Sequence, residues 1–196
     1  MSNKLKRKTT PKRSPQQIKH HVDWKLAEGC YSEIFTSMQL ICFTVLYMSK
    51  EDGGFDFSKK KLQNFNKFLT LHNQENVDGV LSSKETEKSL RKTGFDCELE
   101  ASQFPYRAKM KMLGKKCKPS NIRVMLASAN VAIEAYLILA VYTLRKHYGF
   151  SHQTIRDWWT KCMEVSELYS KGMTDDFVMK FIKDELGLEI TREWGE

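Results

Sequence analysis

The segments FSKKKLQNF (residues 57–65) and FSHQTIRDW (150–158) lie 93 positions apart, and their common register decides the fold. Phe57, Ser58, Leu62, Phe65 and Leu69 align with Phe150, Ser151, Ile155, Trp158 and Cys162, so apolar positions recur at helical spacing while the polar residues between them differ. Further along, Gly94 falls on Gly187. Upstream, after a two-residue insertion at the Gly53-Gly54 turn, Val45-Leu46-Tyr47 falls on Ala140-Val141-Tyr142. Each copy reads as a long apolar helix (about 30–50 and 120–147) that ends in a Gly-Phe turn. A second helix follows, capped by Ser58 or Ser151, whose hydroxyl accepts from the free amides of the first turn. A short third helix (about 83–93 and 175–186) is opened by Ser82 or Thr174 and closed by Gly94 or Gly187. The expected fold is all-α: two tandem diverged copies of a three-helix unit.

The flanks set the boundaries. Residues 1–13 (MSNKLKRKTTPKR) are polar, basic and aperiodic, which predicts a disordered arm. Ser14-Pro15 reads as an N-cap followed by proline at the first helical position, where its missing amide costs nothing. From there a helix runs towards Lys50, with Gly29 a point of interruption. The first unit spans 14–104. Phe104-Pro105-Tyr106 breaks the periodicity, residues 105–119 form a basic connector, and Ser120 caps the long helix of a second unit over 120–190, leaving 191–196 as a tail.

The formal charge of +8 is concentrated in two strips. Lys4, Lys6, Arg7, Lys8, Lys12, Arg13 and Lys19 fall within residues 1–20, and Arg107, Lys109, Lys111, Lys115, Lys116, Lys118 and Arg123 within 104–123, with no acid in either strip. The remainder has 18 basic against 24 acidic residues, so a mildly acidic body carries two basic strips. Such segregation is the electrostatic footprint of a nucleic-acid backbone binder.

Five cysteines without a CxxC pair, three of them (Cys30, Cys42 and Cys162) inside apolar helical patterns, point to reduced thiols and a cytoplasmic location. Val124–Leu144 carries one charge, Glu134, and is long enough to span a bilayer. Asn130 and Glu134 near its middle, and an earlier counterpart too short and polar to span, favour a buried helix and no membrane partner. No Gly-rich phosphate loop, GxSxG elbow or HExxH is present, and His20, His21, His72, His147 and His152 show no metal spacing with cysteine. No catalytic residue, metal or cofactor is therefore expected. Glu134, lacking a second group to act with, reads as an outward-facing or paired carboxylate.

Two features of the second copy bear on partners. GFSHQTIRDW (149–158) has the turn pattern of a helix-turn-helix, in which His152, Gln153 and Arg156 would reach base edges and Lys59, Lys60 and Lys61, the counterpart in the first copy, would neutralise phosphates. Arg145 in place of a small residue, and the acidic Asp157, depart from that pattern; a Ser-capped αα-corner has the same signature. Trp158 aligns with Phe65 and should be core. Trp159 aligns with Asn66 and is open to either a core edge or an exposed protein contact, which Asp175 and Asp176 would extend.

The segment AVYTLRKHYGFSHQTIRDWWTKCMEVSELYSKGMTDDFVMKFIKDELGLEI resembles a family of small helical proteins of unknown function encoded by phages and prophages of Gram-positive bacteria. Tyr148-Gly149-Phe150, Ile155, Trp158 and Gly187-Leu188 carry the likeness, which covers about the last seventy residues. The resemblance implies an α-helical fold and a mobile-element origin, and brings no catalytic residues. The expected function is an accessory protein that binds nucleic acid through arm and connector, as a transcriptional or DNA-associated regulator. The alternative is an interaction module that inhibits or redirects a host protein, using Trp159 and the acidic third helix of the second unit.

Overall fold

Between Tyr136 and Leu144 every side chain of one helix is buried except the half-exposed Tyr142, so this stretch needs neighbours all round. In the computed structural model those neighbours are the rest of the fold. The structure describes residues 15–172, together with Lys180, Lys183 and Asp184, with side chains described from residue 29 onward. The described residues form seven α-helices and no strand: α1 (Pro15–Tyr47), α2 (Lys59–Val77), α3 (Ser83–Lys92), α4 (Cys97–Gln103), α5 (Tyr106–Leu113), α6 (Ile122–Tyr148) and α7 (His152–Lys171), with a single 3-10 turn at Gly114–Lys116. The fold is all-α.

α6 is the central helix, in contact with α1, α2, α3, α4 and α5; α1 in turn packs on α7, α5 and α2. One hydrophobic core runs through both halves of the chain, from Ile34, Phe43 and Leu46 on α1 to Tyr136 on α6 and Trp158 on α7. This burial accounts for the apolar character of two helices, Gly29–Tyr47 and Ile122–Tyr148, each long and apolar enough to cross a membrane. The expectation that the earlier one is too short and polar is thereby corrected. α1 also runs unbroken through Gly29.

The caps follow the serine pattern. Ser58, Ser82 and Ser151 each hold an extended backbone and accept from the amide three residues on, in Lys61, Glu85 and Thr154. α6 differs: its N-cap is Asn121, not Ser120, and the Asn121 Oδ1 accepts from the Lys118 amide instead of from the helix. α6 ends at Gly149, whose left-handed backbone (φ 66°) suits glycine. The predicted connector is largely helix: α5 turns Ala108, Lys109, Met112 and Leu113 inward, and α4 before it is capped by Asp96. Of the predicted last helix, Lys180, Lys183 and Asp184 are helical and exposed. The arm (1–13), Thr174, Asp175, Asp176, Gly187 and the tail lie outside the described residues.

α2 is fixed to α6 by a polar cluster within the apolar packing. His72, buried, has Nδ1 at 2.6 Å from Glu75 Oε2 and Nε2 at 3.0 Å from His147 Nε2. An ionised Glu75 accepts from His72 Nδ1–H, which leaves His72 Nε2 as acceptor and His147 Nε2–H as donor. Phe68 stacks flat on His147 at 3.7 Å, and Tyr142 meets His72 edge-on. Burial, together with His72 and Lys146, holds the His147 pKa below the ordinary imidazole value against the opposing pull of Glu75. A second proton on the pair would set two N–H groups head to head.

A folded-state pKa depressed below the unfolded value of 6.5 means that the unfolded chain binds the proton first. The stabilising contribution is therefore complete above that pH and falls away as pH drops through 6.5 towards the folded value. Urea-denaturation midpoints between pH 7.5 and 5, ~2.5 units bracketing the imidazole range, should decline for the native protein and decline less for His147→Gln. Equal slopes would show that His147 does not titrate in this contact.

Candidate nucleic-acid interface

Helix α2 opens with Lys59, Lys60 and Lys61, all exposed, and has no acidic residue in its first turn. The N-terminal end of a helix carries partial positive charge and favours carboxylates, so three lysines there oppose the dipole and contribute nothing favourable to the helix. Lys61 lies over the Phe57 ring at 5.6 Å. Lys60, Asn64 and Lys67 follow at i, i+4 and i+7 as one exposed stripe, and among the described residues none of Lys59, Lys60, Lys61 and Lys67 forms an ion pair. Lys67 is absent from the residues expected from sequence to meet phosphate, although the helical period marks it. Free amides, a capping serine and uncompensated ammonium groups make this end of α2 attractive to phosphate.

The basic connector divides. Lys109 is buried, donates from Nζ to the Ser102 carbonyl at 3.0 Å, and has its pKa lowered to about 8 by that burial. Lys111 donates to the Tyr169 carbonyl and lies 4.2 Å from the centre of the Tyr169 ring. Lys116 pairs with Glu33 and donates to the Gly29 carbonyl at 3.1 Å. These three tie α5 and its following turn to α7, α4 and α1, so their charge is engaged within the fold and is not free for the expected phosphate contacts. Lys115 and Lys118 are exposed and form no ion pair among the described residues. Lys4, Lys6, Arg7, Lys8, Lys12 and Arg13 lie outside the described residues.

The residues expected to read bases in a helix-turn-helix make contacts within the fold. The Arg156 guanidinium donates to the Gly94 carbonyl at 2.7 Å and to Glu100 Oε1 at 3.2 Å, while the His152 ring covers Gly94 so closely that an added Cβ would sit 3.0 Å from it. With φ 89° as well, that position suits glycine alone. Gln153 is exposed and donates to Asp157 one turn on. His152 and Arg156 are thus engaged by Gly94 and Glu100, whereas base readout needs such side chains free to reach the groove.

Trp159, open in sequence between core edge and exposed contact, is core. It is 3% exposed, stacks with Phe104 at 5.7 Å between centroids, and donates from Nε1 to Glu100 Oε2 at 2.8 Å. Glu100, nearly buried on α4, is thus held by Arg156 and Trp159 together, a pairing across 59 residues that no local pattern signals. Glu134 is half-buried beside the α3–α4 carboxylates; burial raises its pKa and Glu87 and Glu98 add to this, against Arg91. Glu87, Asp96 and Glu98 converge, yet Arg91 already lies among them as their cation, at 2.8, 3.1 and 3.2 Å.

No family model, curated protein or solved structure matches the chain.

Trp159→Phe keeps the ring stack but leaves a buried carboxylate oxygen without its donor, at a cost of about 1–3 kcal/mol. Chemical denaturation should report that loss in the transition midpoint with the slope unchanged. A variant as stable as the native chain would remove Glu100–Trp159 from the interactions that hold α4 on α7.

Proposed function

We infer that the protein is an accessory protein of a phage or other mobile element that holds nucleic acid by its phosphate backbone, as a binding protein and not an enzyme. The observation that carries this reading is the run of exposed, uncompensated lysines at the start of α2. Lys115 and Lys118, and the six basic residues of segment 1–13, add further charge in the same class. Counterion release makes such contacts favourable without base readout. A mobile-element origin is what the resemblance read in the last seventy residues implies, and five free thiols, four of them buried, support a reducing cytoplasm as the place of action.

We further read the two halves as diverged copies related by a pseudo-twofold axis. Under the 93-residue shift, Phe55 corresponds to Tyr148 and Phe57 to Phe150. The contact Phe55–Phe150 (5.3 Å) then maps onto Tyr148–Phe57 (5.0 Å), and Phe57–Phe150 (6.1 Å) maps onto itself. The helix pairing exchanges in the same way: α1 packs on α7 and α6 on α2. The Ser58 and Ser151 caps support this arrangement, with the lysine run confined to the first copy's helix, where Lys59-Lys60-Lys61 replaces His152-Gln153-Thr154.

Binding of fluorescent duplex DNA should weaken steeply with salt. Lys59→Ala/Lys60→Ala/Lys61→Ala should flatten the plot of log affinity against log salt by roughly 0.9 for each phosphate that is no longer neutralised. Deletion of residues 1–13 should flatten it further. An affinity indifferent to salt, or untouched by both changes, would exclude backbone binding by these residues.

A further inference from the structure

An open cleft of about 280 Å³ lies between α3 and the last turn of α6, lined by Ser89, Leu90, Thr93, Tyr142, Arg145 and Lys146. We propose that it binds a phosphoryl group, carried either by a free nucleotide or by a nucleic-acid end. The proposal does not depend on the lysines of α2, and it assigns a place to Arg145, the residue that departs from the helix-turn-helix pattern.

The argument rests on how the two adjacent cations are partnered. Arg145 donates from Nη1 to Thr93 Oγ1, and Lys146 donates from Nζ to the Tyr142 hydroxyl at 3.1 Å, its ammonium 5.0 Å from the centre of that ring. Neither forms an ion pair among the described residues. Glu75, whose carboxylate feels Lys146, is bound at 2.6 Å to His72. Each cation is thus held in place by a neutral oxygen while its charge stays uncancelled.

The hydroxyls divide the work. Thr93 donates its own proton to the Leu90 carbonyl at 2.7 Å, so its oxygen is fixed as an acceptor that positions the guanidinium. The Tyr142 hydroxyl accepts from Lys146 and keeps its proton for another acceptor, and Ser89 is exposed with its hydroxyl unspent among the described residues. The cleft therefore offers the remaining N–H groups of a planar guanidinium, an ammonium and two O–H donors around one opening, and no carboxylate lines it. A tetrahedral dianion uses that many donors and both charges, whereas a carboxylate uses two oxygens and one charge. The Tyr142 ring adds an aromatic edge to the opening, and the volume suits a phosphoryl group with part of the unit bearing it. The competing account is that Arg145 and Lys146 simply complement the negative end of the α6 dipole.

The test uses the full chain and NMR titration with inorganic phosphate, with acetate as the control anion. The expected result is saturable phosphate binding centred on Ser89, Tyr142 and Arg145 resonances, at least tenfold tighter than acetate, and lowered by roughly tenfold for each charged partner removed in Arg145→Gln and Lys146→Gln. Ser89→Ala, an exposed change that leaves the packing alone, should weaken binding several-fold and serves if the charge variants do not fold. Lys59→Ala/Lys60→Ala/Lys61→Ala should remove phosphate shifts at the start of α2 while the affinity read at Ser89, Tyr142 and Arg145 stays as it was, which separates this site from the α2 interface. A mononucleotide arm and a pair of single strands with 5′-phosphate or 5′-hydroxyl distinguish the sources: preference for the phosphorylated strand that disappears in Arg145→Gln assigns a nucleic-acid end, and tight mononucleotide binding without that preference assigns a free nucleotide. Phosphate bound no better than acetate, or equally well by folded Arg145→Gln and Lys146→Gln, would overturn the proposal and leave the two cations as helix-end charges.

Discussion

Water cannot be allowed near the middle of α6. From Tyr136 to Leu144 its side chains are apolar or hydroxyl-bearing on every face, and burying a leucine or isoleucine there is worth about 1.5–3 kcal/mol each. A helix with one apolar stripe needs one neighbour; this one needs a ring of them. α1, itself buried from Ile34 to Leu46 at every position but Thr44, supplies the largest part, and the remaining gaps are closed by α2, α3, α4 and α5. Tertiary burial, not helix propensity, is what fixes the order and placement of the shorter elements.

What the sequence disclosed follows from the same physics. Helix starts marked by serine were legible because capping is local: hydroxyl and amide are three residues apart. The long apolar helices were legible because their patterns persist for many turns. α4 and α5 escaped notice, being seven and eight residues long and rich in lysine and glutamate, which by composition read as solvated surface. Lys109 is the clearest instance, since a lysine within a basic run gives no sign that the Ser102 carbonyl will draw it inward. Trp159 is another. Its indole and the Glu100 carboxylate meet only after α4 and α7 have docked, and helical period alone placed the residue at the margin of the core stripe.

The basic residues thus fall into two populations that composition merges. One group, Lys109, Lys111, Lys116 and Arg156, is bound to carbonyls, carboxylates or an aromatic ring and holds helices to one another. The other, Lys59, Lys60, Lys67, Arg145 and Lys146, keeps its charge uncancelled by any carboxylate within ion-pair distance among the described residues. The second group, like Lys115 and Lys118, has electrostatic energy left to offer a ligand; Lys67 and Lys146 were inconspicuous in sequence because each sits in or beside an apolar helical run, and Arg145 stood out only as a departure from the helix-turn-helix pattern.

The pairing of α1 with α6 has a bearing on how the chain is made. α1 is finished at Tyr47, but its principal cover begins only at Ile122, so about 75 residues separate a sticky surface from the helix that hides it. At a typical synthesis rate this interval lasts roughly 4–15 s. Until then Ile34, Phe35, Met38, Ile41 and Phe43 have only α2 and, late in the interval, α5 as cover from the described helices already made. Apolar surface left open in this way is prone to aggregate until its cover arrives, so the long separation of α1 from α6 is a liability of this chain order.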